Sequence, residues 1–254
     1  MQLEIRNLSF SYNNKKVLEN VSFLANEGDF ICILGENGAG KSTLLNCICR
    51  ILKVKNEEIL VNGQSVNKYK NKKFASIVSF VPQNYNPIYE CTVTEFLLMG
   101  RNPYKSFGSS LSHDDIGIVN RVLEEFSMEG FAQRLMSQLS GGERKKILLM
   151  RALVQDTDII VLDEPTNQLD FGMRVQFMNT LKRLANKGKI IIMTTHLPDD
   201  AINYSNKTIV VFNRETSVYG TNELKEDVLG KIYSLKIEFV RGNKIVKTAC
   251  ISEE

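Results

Sequence analysis

Nowhere does the 254-residue chain approach the roughly 18 apolar residues in a row that a bilayer-spanning helix needs, so any membrane role is expected to come through a partner. The opening stretch MQLEIRNLSF has neither the basic n-region nor the apolar segment of a secretory signal; it alternates apolar and polar residues as a strand does. Charge of one sign is scarce as well. Thirty-two Lys and Arg stand against 29 Asp and Glu, a formal charge of +3, which describes a mildly basic surface and argues against a nucleic-acid partner. The five cysteines, Cys32, Cys47, Cys49, Cys91 and Cys250, are odd in number and lack metal-ligand spacing. Two of them lie in apolar runs that read as core, and a reducing cytosol is the expected setting. Internal repeats and low-complexity linkers are missing too. The length suits one α/β unit with a smaller insertion beside it, although length by itself leaves two small domains open.

What is present is a change of hydrophobic pattern along the chain. Leu3 to Leu8 and Val17 to Leu24 alternate like paired strands around a polar turn at Asn13-Asn14, with Ile59 to Val61 as a possible extension. By contrast, Phe30 to Leu34, Ile77 to Val81, Ile159 to Leu162, Ile190 to Thr194 and Ile209 to Phe212 are short, nearly continuous apolar runs. Such runs belong to strands buried on both faces, hence to a parallel sheet covered by helices. Helical spacing predicts helices over Lys41 to Leu52, Val93 to Gly100, Asp114 to Ser127, Glu143 to Val154 and Phe171 to Ala185. The strand signal vanishes over about residues 86–154, which read as a mostly helical insertion between the core segments 1–85 and 155–254.

The strongest chemical signal is Gly35-Glu36-Asn37-Gly38-Ala39-Gly40-Lys41-Ser42, a complete GxxxxGKS loop between an apolar strand and a helix. Its glycines let backbone N–H groups close on phosphate oxygens at a helix N-terminus. Lys41 offers a cation to β and γ phosphates, and Ser42 a ligand to Mg²⁺. Further on, the apolar strand Ile159 to Leu162 ends abruptly in Asp163-Glu164. Placed beside the phosphate loop, as strand ends are in open α/β sheets, Asp163 would hold Mg²⁺ through water and Glu164 would orient the attacking water. Between the two lies Leu139-Ser140-Gly141-Gly142-Glu143, whose serine and glycines precede a predicted helix and present a hydroxyl and free N–H groups to an anion.

Together these motifs resemble the ABC ATPases, whose signature LSGGQ differs only in its last residue. The resemblance implies a P-loop NTPase core of α/β class with a mostly parallel sheet, an N-terminal antiparallel β subdomain and a helical insertion subdomain. It runs through almost the whole chain. Gln83 matches the glutamine that senses Mg²⁺ and the γ-phosphate, Asn167-Gln168-Leu169-Asp170 resembles the D-loop, and His196 the switch histidine. Tyr12 resembles the aromatic that stacks on adenine. The nucleotide-binding set so implied is Tyr12, Asn37, Gly38, Ala39, Gly40, Lys41, Ser42, Thr43 and Asp170, with Ser140, Gly141 and Gly142 acting in trans. Glu164, His196, Gln83 and Lys41 are the implied catalytic groups; Ser42, Gln83 and Asp163 the implied Mg²⁺ site. The other histidine, His113, reads as part of a helix cap in Ser112-His113-Asp114-Asp115. The family's composite site also implies a homodimer clamping two ATP molecules.

Thr92 to Tyr104 and the closing Val228 to Leu235, followed by a strand-like run, are similar to the ATPases of iron-siderophore, haem and vitamin B12 importers, with other metal-chelate or oxyanion importers next. Permease subunits, an extracytoplasmic binding protein and a place on the cytoplasmic face of the membrane are implied with them. The rival reading is a soluble ABC ATPase of DNA repair, translation or iron–sulfur assembly. Departures from the family are Asn56-Glu57-Glu58-Ile59 in place of a Gly-Glu-Ile turn, and Lys145-Lys146 in place of Gln-Arg. The run Lys68 to Lys73 reads as a solvated basic edge, with contact to anionic lipid headgroups as the alternative.

Overall fold

Alternating burial makes a long hairpin of the first 26 residues in a computed structural model that describes residues 1–55, 57–85, 89–105, 112–167, 169–220, 223–241 and 247–251. Strand β1 (Gln2–Tyr12) turns through Asn13 into β2 (Lys15–Asn26), with Tyr12 opposite Lys15. Asn13 supplies the turn's positive φ of 52°. Both strands run longer than their apolar cores predicted, because irregularities in the register interrupt the alternation.

The chain continues through β3 (Phe30–Leu34), α1 (Lys41–Ile48), β4 (Ile59–Val61), β5 (Gln64–Ser65), α2 (Asn71–Ala75) and β6 (Val78–Val81). The predicted helix to Leu52 stops at Ile48: Arg50 takes a φ of 59°, and the amides of Ile51 and Leu52 both return to the Asn46 carbonyl. Strand β4 pairs with β1, as an extension of the hairpin should. Helix α2 was hidden in the lysine run; Phe74 anchors it, under the Arg50 guanidinium, while Lys68, Lys70, Lys72 and Lys73 stay exposed as read.

Next come α3 (Val93–Leu98), α4 (His113–Glu125) and α5 (Gly141–Val154), with no strand among the described residues between β6 and β7 (Ile159–Leu162). Ser112 caps α4 reciprocally with Asp115, which leaves His113 exposed on the first turn. Then follow α6 (Phe171–Asn186), β8 (Ile190–Thr195), α7 (Pro198–Tyr204), β9 (Lys207–Phe212), β10 (Glu215–Gly220), α8 (Glu226–Tyr233), β11 (Ile237–Arg241) and β12 (Lys247–Ile251). The chain thus folds with one six-stranded sheet ordered β10-β9-β3-β8-β7-β6, parallel except for β10, beside a four-stranded antiparallel sheet ordered β2-β1-β4-β5.

The continuous apolar runs are buried on both faces, as expected. Cys32, Leu34, Ile160, Leu162, Ile191 and Met193 face α5 and α6. Their neighbours Ile31, Ile33, Ile159, Val161, Ile190 and Ile192 face α1 and the antiparallel sheet. Register then positions the site: Leu34 lies opposite Thr195, Leu162 opposite Met193, and Val81 opposite Leu162. The loops that follow β3, β6, β7 and β8 therefore emerge at one edge of the sheet.

Candidate functional site

At that edge a cavity of about 530 Å³ is lined by Tyr12, Val17, Asn37, Gly38, Gly40, Lys41, Ser42, Thr43, Gln83, Glu164, Asn167 and His196. The phosphate loop reaches it through backbone that only glycine enters without strain, with φ of 82° at Gly38 and 106° at Gly40. Gly40 is also the residue from which α1 starts, so the first-turn amides of that helix open toward the cavity.

Lys41 is 4% exposed, and its ammonium donates to the carbonyls of Gly35 (2.8 Å) and Glu36 (2.9 Å). Burial lowers its pKa from the ordinary 10.5, against the pull of the Glu164 and Asp163 carboxylates. Its Nζ stands 3.8 Å from Glu164 Oε1. The Ser42 hydroxyl donates to Asp163 Oδ1 at 3.0 Å, joining residues 121 positions apart. Thr194, at the end of β8, donates to the same Asp163 oxygen at 2.6 Å and accepts the Glu164 amide at 2.8 Å.

Glu164 sits in the left-handed region, φ 43°, where a non-glycine residue carries strain of order 1 kcal/mol or more. Its carboxylate accepts from Gln83 Nε2 at 2.8 Å and from the Asn167 amide, and lies 3.9 Å from His196 Nδ1. That imidazole nitrogen is buried and unpartnered. From the other side Tyr233 in α8 donates its hydroxyl to the His196 carbonyl at 2.9 Å.

The structure brings together Tyr12, Asn37, Gly38, Gly40, Lys41, Ser42, Thr43, Gln83, Glu164 and His196, with Asp163 one hydrogen bond behind Ser42. Ala39 lines an adjoining hollow instead. Asp170 does not line the cavity; its carboxylate accepts from the Met173 amide at 2.8 Å and caps α6. Ser140, Gly141 and Gly142 do not line it either: Ser140 and Glu143 close a capping box at the start of α5, with Ser140 and Gly141 exposed. Gln168 and Asn56 lie outside the described residues.

Three contributors were missed. Asn167 stood within the D-loop string without a role, although its place three residues after Glu164 was a signal. Lys145 had been noted only as a departure; its ammonium, with its pKa lowered by burial, donates to the Glu164 carbonyl at 3.3 Å. Thr194 carried no signal beyond ending a buried strand.

This donor set suits a nucleotide polyphosphate with a hard divalent cation. A desolvated ammonium, helix-start amides and an orphaned imidazole nitrogen face the cavity, and Ser42 and Asp163 offer the paired oxygens that such a cation prefers.

Comparison with known proteins agrees on the nucleotide. The sequence profile described as ABC transporter matches residues 18–167. An ABC transporter ATP-binding protein of Methanocaldococcus jannaschii is 35% identical over 97% of both chains. The petrobactin import ATP-binding protein of Bacillus subtilis is 33% identical over 92% of this chain and 94% of its own. The iron(3+)-hydroxamate import ATP-binding protein of the same organism is 28% identical over 98% and 94%. Among solved structures, one described as an inward-facing transporter of the metal-chelate ABC type superposes with a TM-score of 0.86, at 26% identity over 99% of this chain and 98% of its own. A dimeric ATP-binding cassette holding ADP and Pi after hydrolysis superposes with a TM-score of 0.74, at 26% identity over 86% and 98%. With the phosphate loop, the paired carboxylates and His196 gathered at one sheet edge, the chain belongs to the ABC transporter family as one of its ATP-binding, ATP-hydrolysing subunits.

Proposed function

We propose that two copies of this chain clamp two MgATP molecules between them and drive uptake of a metal chelate, such as an iron-siderophore, haem or cobalamin, through a membrane permease. One observation carries the two-copy reading: the exposed Ser140-Gly141 helix start does not line its own chain's cavity, so its free amides can meet a phosphate only from a second copy. A symmetric pair would close each phosphate loop with the other's signature turn.

In this reading Lys41 and the loop amides hold the β and γ phosphates, and Tyr12, 46% exposed with its ring edge-on to Phe10, stacks on the base. Ser42 and Asp163 would hold Mg²⁺, with Gln83 beside them; when bound, the ion neutralises developing charge on the phosphate oxygens. Glu164, held by Gln83 and Asn167, orients the water, and His196 holds the γ-phosphate, a role supported by its unpartnered Nδ1. Residues 86–154, read as an insertion subdomain, would meet the permease, fed by an extracytoplasmic binding protein. That places the subunit at the cytoplasmic face. Among the described residues no helix is long and apolar enough to cross a membrane, which is consistent with a partner doing so. The metal-chelate reading is supported by the petrobactin and hydroxamate relatives and the metal-chelate-type neighbour.

Uptake of radiolabelled ferric hydroxamate, haem and cobalamin by cells lacking this chain tests the importer reading. Loss of one of them, restored by the parent chain and not by Glu164→Gln, is expected. Undiminished uptake of all metal chelates would refute the cargo class.

A further inference from the structure

Asp200, in the first turn of α7, is 0% exposed, the most deeply buried carboxylate among the described residues, and the chemistry above makes no use of it. Four donors reach it. Arg174 Nε and Nη2 donate to Oδ1 at 2.9 and 2.7 Å; the hydroxyls of Thr166 and Thr195 donate to Oδ2 at 3.2 and 3.0 Å.

The three donor residues belong to three separate segments. Thr166 follows Glu164 by two residues, in the segment whose Asn167 amide grips the Glu164 carboxylate. Thr195 immediately precedes His196, and its hydroxyl also accepts the Leu197 amide at 3.1 Å, so one side chain brackets the histidine on both sides. Arg174 sits in the first turn of α6, bonded through its amide to the Asp170 carbonyl. A single carboxylate thus ties the segment after β7, the end of β8 and the start of α6 to one point.

A buried ion pair is a weak stabiliser, since desolvation offsets most of its attraction and an apolar pair of similar volume often serves the fold as well. What apolar residues would not reproduce is the directional bonding to two threonine hydroxyls on separate segments. We propose that Asp200 and Arg174 are positioning residues for ATP hydrolysis, fixing His196 against Glu164 and coupling both to the start of α6. The proposal rests on the roles read above for Glu164 and His196. Catalytic geometry is unforgiving, a displacement of about 1 Å costing up to ~100-fold in rate, whereas the hydrogen bonds and ion pair of Arg174 and Asp200 run to neither Tyr12, Lys41 nor the phosphate loop.

The test is steady-state ATP hydrolysis and thermal unfolding of the full chain carrying Arg174→Met, Arg174→Lys, or Arg174→Met with Asp200→Leu. Arg174→Met should lower kcat about 10-fold or more and leave KM for MgATP within about 2-fold. Arg174→Lys, keeping one charged donor, should recover part of that loss. The Met/Leu pair leaves no uncompensated buried charge, so it should regain the parental unfolding temperature without regaining kcat. Parental kcat in the Met/Leu pair, or losses that follow unfolding temperature across the set, would overturn the proposal. Glu164→Gln and His196→Ala are measured alongside. If both hydrolyse at the parental rate, the site reading falls and the proposal with it; if both are slow while the Met/Leu pair is fast, the proposal falls alone.

Discussion

Replacing Glu164 by Gln removes one charge and almost no volume, from a group held by Gln83 and Asn167 and standing 3.8 Å from the Lys41 ammonium. At an effective dielectric of about 20, that separation corresponds to roughly 4 kcal/mol of attraction between the unit charges. A γ-phosphate entering the cavity competes with Glu164 for the same ammonium and is repelled by the same carboxylate. Neutralising it therefore frees Lys41 for the nucleotide, and the affinity for MgATP should hold within about 3-fold or tighten. The reaction loses the group that orients and polarises the water, an effect worth about 100-fold or more, which is about 2.7 kcal/mol or more of barrier. Binding without turnover should accumulate the two-copy state, visible by sedimentation velocity with ATP and reversed by removing nucleotide. Phosphate release gives the rate, and a fluorescent-nucleotide titration gives the affinity. Hydrolysis within about 3-fold of the parent would refute the assignment of Glu164, and a large loss of affinity would refute the competition argument.

Because burial lowers the pKa of Lys41 from 10.5, and only its charged form attracts phosphate, raising the pH through the lowered value should weaken MgATP binding before a free lysine would titrate. Lys41→Arg, charged throughout, should lose that alkaline limb; identical limbs in both titrations would sink the argument. Gly35→Ala places a Cβ 2.5 Å from the Val211 carbonyl, so loop or strand must move at about 1–3 kcal/mol, read as a lowered urea midpoint. Gly117→Ala, inside α4 with nothing within 4 Å of the new methyl, should instead gain about 0.5–1 kcal/mol; equal effects at the two glycines would contradict the packing account. Phe96 is fully buried, with the Tyr85 ring centroid and the Arg151 guanidinium each 5.1 Å from the Phe96 ring centroid, so Phe96→Ala should cost about 3–5 kcal/mol in urea unfolding; a loss under about 1 kcal/mol would show that α3 contributes little to the core.

Elements whose cause is local were legible before any coordinates. The five doubly buried strands announced themselves as nearly continuous apolar runs, and α6 was read to within one residue because Asp170 caps it and its apolar spacing is regular. Elements held by distant partners were not. Helix α2 packs through Phe74 under the Arg50 guanidinium, and α7 carries Asp200 to Arg174, 26 residues back along the chain. Neither partner is near in sequence.

The candidate site divides along the same line. A glycine-rich loop, a lysine and a serine in one octapeptide carry their chemistry wherever they fold, since the spacing itself makes a phosphate cradle at a helix start. The sequence also determined that Asp163, Glu164 and His196 end apolar strands, and so which edge of a parallel sheet they occupy. Only the tertiary structure decided that Ser42 and Asp163 meet at 3.0 Å, that Gln83 and Asn167 hold Glu164, and that Thr194 and Lys145 stand behind it. Only the tertiary structure kept Ser140 and Asp170 off their own chain's cavity. The physical reason is that strand order and register are set by how two apolar faces pack against their covering layers. That packing sums over the whole chain, and no local segment encodes it.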